Sequence, residues 1–437
     1  VGSASPIVEA LKWTTSGTAT WDVNNILNTV WKDSAGSPVT TYYVEPPAAG
    51  SADSVVFDDT YISGNPTVTL NSTVSPTSVT FSNSTYSYTV GGSGGIAGAG
   101  RLTKSGTNML TLTSINTYSG NTTINAGILQ LGNGTAGQDG SIANSLKLTN
   151  NSVLIYNRYG SNNYGGVISG SGTVTKSGAG AQTLSGANTY TGNTTISAGK
   201  LALAGTGSIA NSGKISVGSG TMLDVSAVSG FTIGAAQTIN GSGTIVGAVT
   251  VNGTLAPTNS AVGISTLNFS NNLALAGNAV FSLDRDNPPQ TNSQVVCLGT
   301  VQYGGALVLT NTGSALQNGD TFTLFSTTGH VGNFGSVVGS PGAGLNYSFD
   351  PTSGVLSVVG GGVSPTHLTN SVIGGNLSLS WPAGQGWELQ IQTNHLSAGV
   401  SVNTSDWMTV PGSSGISQTN IPINHAQPTE FYRLVNL

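Results

Sequence analysis

Short runs of alternating apolar and polar residues, each closed off by glycine or asparagine, recur along most of the chain. Leu110 and Leu112, Leu129 and Leu131, Leu201 and Leu203, Ile215 and Val217, and Val249 and Val251 each take every second position. That is the period of a strand with one buried face. Strands this short cannot bury their apolar faces alone, but they can when stacked as successive rungs. No heptad and no capped amphipathic helix interrupts the pattern, so the reading is an all-β chain.

The rungs repeat. Leu102-Thr103-Lys104-Ser105-Gly106 returns as Val174-Thr175-Lys176-Ser177-Gly178. The same offset, from position 102 to position 174, carries Asn116-Thr117-Tyr118-Ser119-Gly120-Asn121-Thr122-Thr123-Ile124 onto Asn188-Thr189-Tyr190-Thr191-Gly192-Asn193-Thr194-Thr195-Ile196. Ala126-Gly127 and Leu129 fall on Ala198-Gly199 and Leu201. A second phrase, Gly140-Ser141-Ile142-Ala143-Asn144-Ser145, recurs as Gly207-Ser208-Ile209-Ala210-Asn211-Ser212. A unit that spans positions 102–173 is too long for one solenoid coil. It suits about three coils of roughly 20–25 residues, stacked at ~4.8 Å, with right-handed crossovers. Thr and Asn at equivalent rung positions are then expected to stack as hydrogen-bonded ladders. Leu112 and Leu184, Ile124 and Ile196, and Leu129 and Leu201 are the expected core pairs.

These elements resemble the autotransporter-associated β-strand repeat, or passenger-associated transport repeat, of bacterial secreted proteins. Residues 102–129 and 174–201 carry the likeness through both Lys-Ser-Gly and both Asn-Thr-Tyr elements. Ala52-Asp53-Ser54-Val55-Val56-Phe57 resembles the entry to such passengers, and Val249-Thr250-Val251-Asn252-Gly253-Thr254-Leu255-Ala256-Pro257 their exit. The tail from Leu379-Ser380-Trp381-Pro382 to Phe431-Tyr432-Arg433-Leu434 is similar to a terminal module of large secreted proteins from Verrucomicrobia-like bacteria. The resemblance implies a passenger-type right-handed β-solenoid without the translocator barrel.

Texture divides the chain in three. Residues 1–59, with Trp13, Trp21 and Trp31, read as a cap over the open end of the stack; residues 60–360 read as the solenoid; residues 361–437 read as a small β-sandwich. The Val359-Gly360-Gly361-Gly362-Val363-Ser364-Pro365 stretch between the last two reads as a linker. An opening Val1-Gly2-Ser3-Ala4-Ser5 without methionine fits a mature end left by signal-peptide removal.

Composition narrows the function. Of 437 residues, 63 are glycine and only 6% are charged, yet 37% are hydrophobic, which separates the chain from disordered low-complexity sequences. The net charge is −5 and the eleven basic residues are scattered. That disfavours nucleic acid and membrane insertion as partners. Cys297, the one cysteine, sits in an apolar run and permits no intrachain disulfide.

Chemistry is sparse. Residues 60–283 contain no Glu and no His, and only Asp139 and Asp224 as acids, a poor basis for the acid–base work of polysaccharide lyases and hydrolases. Asp58-Asp59 and Asp284-Arg285-Asp286 read as solvated turns, and His330, His367, His395 and His425 lack metal-ligand spacing. Glycine strings such as Gly91-Gly92-Ser93-Gly94-Gly95 read as turns, with no helix to complete a phosphate cradle. No catalytic, cofactor or metal residue is assigned. Tyr118 and Tyr190 are candidates for stacking on sugar rings, against the simpler expectation that they pack beside their own turns. Asn71, Asn83, Asn121 and Asn193 open Asn-x-Ser/Thr sequons, a sign of surface exposure. The expectation is a secreted, non-enzymatic, structural or adhesive surface protein. Its partners are expected to be copies of itself, joined head to tail in a filament, and a surface or matrix polysaccharide. The alternative is a carbohydrate-binding or carbohydrate-cleaving β-helix.

Overall fold

A computed structural model of the chain describes residues 10–33, 40–45, 52–258, 263–286, 292–360, 367–382, 386–394, 397, 399–423 and 429–436. Positions 361–365 of the expected linker, the opening residues 1–5, and His395 and His425 lie outside them. The described residues form β-strands with a single 3-10 turn at Thr404–Asp406, and no α-helix. Among them, no helix is long and apolar enough to cross a membrane.

Two compact units emerge: residues 1–312 with 323–338 and 351–355, and residues 313–322 with 339–350 and 356–437. The first is a β-solenoid built on three sheets of nine, fourteen and eleven strands. One coil visits them in turn: Val167–Ser169 lies in the first sheet, Thr173–Lys176 in the second and Ala181–Leu184 in the third. Every pairing between neighbours along the second sheet, from Thr18–Thr20 to Ser336–Val338, is parallel.

The alternation seen in the sequence becomes continuous columns of inward side chains. Leu110, Leu129, Leu154, Val174, Thr194 and Ile215 stand in register in the second sheet. Leu112, Leu131, Tyr156, Lys176 and Ile196 form the column beside them. All six residues of the expected core pairs are completely buried. At roughly 2 kcal/mol for each buried aliphatic side chain, the columns are the main source of cohesion between coils.

Repeat and coil are out of step. In the first sheet Leu102 neighbours Thr122, which neighbours Leu148, which neighbours Ile168, so three coils carry the chain from position 102 to position 168. The sequence equivalent of Leu102 is not Ile168 but Val174, which lies one strand further on, in the second sheet. The repeat is therefore three coils plus one face, not three coils. Leu112 of the second sheet accordingly corresponds to Leu184 of the third, and Ile124 of the first to Ile196 of the second. Hydroxyl side chains at equivalent rung positions line up from coil to coil as expected, in the outward column Thr80, Thr103, Thr123, Thr149 and Ser169.

Parallel pairing begins inside the tryptophan-rich segment, where Ala10–Trp13 lies beside Ser54–Phe57. Trp31–Asp33 then returns antiparallel to Ala10–Trp13, and Thr40–Thr41 pairs antiparallel to it in turn. Beneath these strands Trp13, Trp21, Trp31 and Tyr43 are buried around Phe57, with Trp13 and Trp31 edge to face at 5.1 Å and Trp21 5.3 Å from Tyr43. Phe57 stacks flat on Phe81 at 4.5 Å, which carries the aromatic layer into the regular columns.

In the second unit Thr369–Ile373, Asn376–Ser380 and Gln418–Pro422 form one antiparallel sheet. Trp387–Asn394, Met408–Thr409 and Thr429–Asn436 form another. Leu379, Trp381 and Leu389 are the buried centre of this small sandwich.

Candidate functional site

The repeat owes its shape to a corner in which three sequence elements meet. Lys104 and Lys176 take inward positions, between Phe81 and Ile124 and between Tyr156 and Ile196 respectively. Both are buried, and each ammonium donates to the carbonyl of the glycine two residues on, Gly106 or Gly178. Burial pushes both ammonium groups down to about 8. The glycine of Ala126-Gly127 or Ala198-Gly199 packs on the same corner at φ 67° or 65°. A Cβ there would come within 2.4 Å of the Gly106 carbonyl oxygen, or 2.6 Å of that of Gly178. Only glycine meets both the φ and the space.

The other motif halves form a buried hydroxyl relay. Tyr118 Oη lies 2.7 Å from Thr122 Oγ1, which lies 2.9 Å from Ser145 Oγ. Tyr190, Thr194 and Ser212 repeat these distances, 2.7 and 2.9 Å. The serine closes each Gly-Ser-Ile-Ala-Asn-Ser phrase, so the relay joins the two recurring phrases of the sequence. Tyr118 and Tyr190 are each 1% exposed, and burial raises both phenols. Stacking on sugar rings is thereby corrected: neither ring offers a face to solvent, because the period-two pattern turns both inward.

Other singled-out residues also have structural duties. Asp58 pairs with Lys12 at 2.8 Å, and Asp59 accepts from the backbone N–H groups of Ser84 and Thr85 at 2.7 and 2.9 Å. Asp284 accepts from the Asp286 N–H at 2.9 Å. Asn83 is fully buried, contrary to the expectation for a sequon, and its amide donates to the Tyr86 and Met109 carbonyls at 2.7 and 3.0 Å. Cys297 is buried, and its thiol lies 3.2 Å from the Asn271 carbonyl. Among the described residues no three His, Cys, Asp or Glu side chains gather as metal ligands would.

What remains for contact is the outer surface. Beyond the ladder of Thr80, Thr103, Thr123, Thr149 and Ser169, the second sheet presents Thr175, Thr195 and Ser216 in register. These columns offer uncharged hydroxyls at the regular inter-strand spacing of about 4.8 Å.

Residues 102–131 and 174–203 match the model of the Passenger-associated-transport-repeat family. The chain carries two passenger-associated transport repeats. The matched spans hold both buried lysines, both corner glycines and the tyrosine and threonine of each relay; the relay serines fall outside them. Over 85 residues the chain is also 44% identical to the adhesin BmaC autotransporter of Brucella suis biovar 1 (strain 1330). That likeness covers 19% of this chain and 2% of the relative's length. The matched spans are two stretches within the longer solenoid, and the sequence signal they share lies mostly in corner residues turned away from solvent.

Proposed function

We propose that the protein is an extracellular adhesive element of a bacterial surface, in which the solenoid holds an uncharged, hydroxyl-rich face toward other surfaces. The observation that carries this reading is the pair of transport repeats in a chain similar over 85 residues to an autotransporter adhesin. The outward threonine columns support it, since sequence-tolerant contact with neutral polymers needs hydroxyls and not fixed charge. No chemical step is assigned: the acids of the solenoid are engaged in turns and ion pairs. Beads coated with the purified chain should adhere to polysaccharide-coated surfaces or cells more strongly than beads coated with an unrelated β-solenoid. Equal adhesion would overturn the reading. Turnover of a polysaccharide that is lost on Asp284→Asn or Asp286→Asn would replace it with an enzymatic one.

The reading extends to self-assembly, head to tail, through the terminal modules. Thr369–Ile373 supports this: it is the edge strand of its sheet, exposed throughout, with Val372 and Ile373 65% and 69% accessible. Such an edge is a template for another strand, and low charge weakens repulsion between copies. Light scattering should show growth with concentration, and a stable monomer at micromolar concentration would contradict it.

A further inference from the structure

The two copies differ most at one loop. Between Leu131 and Ser141 the first copy runs from Gly132 to Gly140; between Leu203 and Ser208 the second runs only from Ala204 to Gly207. Gly137 and Asp139 of the longer loop line a half-open pocket of about 370 Å³. Thr113, Ser114, Ile115, Gly137, Asp139 and Arg158 are among its lining residues. Thr113, Ser114 and Ile115 correspond to Ser185, Gly186 and Ala187 in the second copy, and Asp139 to Thr206. The pocket is therefore not a property of the repeat.

Arg158 is only 6% exposed. Its Nη1 donates to the Asp139 carbonyl at 3.0 Å and to the Gly140 carbonyl, and its buried Nε has no hydrogen-bond partner. A guanidinium has five N–H donors, so this one keeps bonding capacity beyond the loop it supports. Asp139 accepts the Tyr159 and Gly160 N–H groups at 2.6 and 2.9 Å, one on each carboxylate oxygen. Each oxygen retains a lone pair. Ile115, 69% exposed, adds an apolar surface to this polar lining.

We propose that this pocket binds one uncharged hexose ring of a surface or matrix glycan, a reading that rests on the adhesive function above. The chemistry is that of a polyol with one apolar face. Asp139 accepts from ring hydroxyls, Arg158 donates to ring oxygens, and Ile115 covers the C–H face. The Thr113 and Ser114 hydroxyls, which themselves donate to the Val90 carbonyl and Asn116 Oδ1, line the wall. The charges of Arg158 and Asp139 cancel, so a uronate meets the carboxylate and an amino sugar the guanidinium, each at a cost. The volume lies in the roughly 300–1,000 Å³ range of small-molecule sites and suits a single ring.

The test uses the full chain and a set of methyl glycosides of glucose, galactose and mannose, with glucuronate and glucosamine for comparison, read by NMR titration. At least one neutral glycoside should bind at millimolar concentration and outcompete the two charged sugars. Ile115→Asn, and deletion of 134–138 to give the loop length of the second copy, should each weaken binding by about tenfold or more. The deletion imitates a corner that the chain already folds, so its secondary structure and melting serve as the control. Absence of binding by all three neutral glycosides, preference for a charged sugar, or unchanged affinity in the deletion variant would overturn the proposal. Bead adhesion measured in parallel separates the outcomes: adhesion without sugar binding sinks the pocket alone, and loss of both sinks the adhesive reading.

Discussion

Residues 102–131 and 174–203 share 18 of 30 residues and the same corner, yet each strand of the second lies one face further round the solenoid than its counterpart in the first. The lysine under the glycine carbonyl, the left-handed glycine and the tyrosine–threonine–serine relay are reproduced in both. What the comparison teaches is that the repeat encodes a way of turning a corner, and any corner of the coil will serve. The coil length decides which corner receives it.

If the copies are equivalent corners, the same substitution should have the same effect in each. The largest effect is expected from Ile124→Asp and Ile196→Asp, which place an unpaired charge in fully buried columns of different sheets. Each should cost several kcal/mol and unfold neighbouring rungs, as seen by urea denaturation. Markedly unequal losses would mean that the face matters more than the corner.

Gly127→Ala and Gly199→Ala should each cost about 2 kcal/mol, from the strained φ and the carbonyl beneath. Equal shifts in the urea midpoint are expected. A comparable loss, about 1–3 kcal/mol, is expected from Thr122→Val or Thr194→Val, which leaves a buried tyrosine hydroxyl without its threonine partner. Val at position 123 or 195, on the outward face, should be nearly neutral in the same assay.

The pH dependence sharpens the comparison further. Lys104 and Lys176 are held at about 8 in the folded chain against 10.5 unfolded. Between those values the unfolded chain binds more protons, so stability rises with pH. Above about 10 the opposite holds, because Tyr118 and Tyr190, raised by burial, stay protonated while unfolded tyrosines ionise. Melting temperature should climb from pH 8, then fall past pH 10. The double variant Lys104→Met with Lys176→Met should lose the climb and keep the fall.

Much of this was legible in the residues, for physical reasons. Period-two strands bounded by glycine cannot be buried except by stacking, so the all-β solenoid and core positions such as Leu112 and Ile196 follow from pattern alone. The phase of the repeat does not. A coil can lengthen by a loop, as at Gly132 to Gly140, without disturbing the columns on either side, so repeat length and coil length need not divide evenly. The lysines were hidden because a charged residue reads as solvent-facing; the clue was that Lys104 and Lys176 keep the parity of the buried Leu102 and Val174. The packing of Tyr118 beside its own turn was legible, because its hydroxyl partner Thr122 is only four residues on; the relay onward to Ser145, which is distant in sequence, was not. The pocket beside Arg158 left no motif, since its lining comes from separate coils.

The rotation itself can be measured directly with spin labels on outward threonine or serine positions. Thr103 and Ser169 are three rungs apart in one column of the first sheet, whereas Thr103 and Thr175 are repeat equivalents in different sheets. Labels at 103 and 169 should report a separation of roughly 14 Å, three times the inter-strand spacing. The pair at 103 and 175 should be clearly longer. A 103–175 distance equal to or shorter than the 103–169 distance would mean that the repeats stack face on face, and would contradict the account.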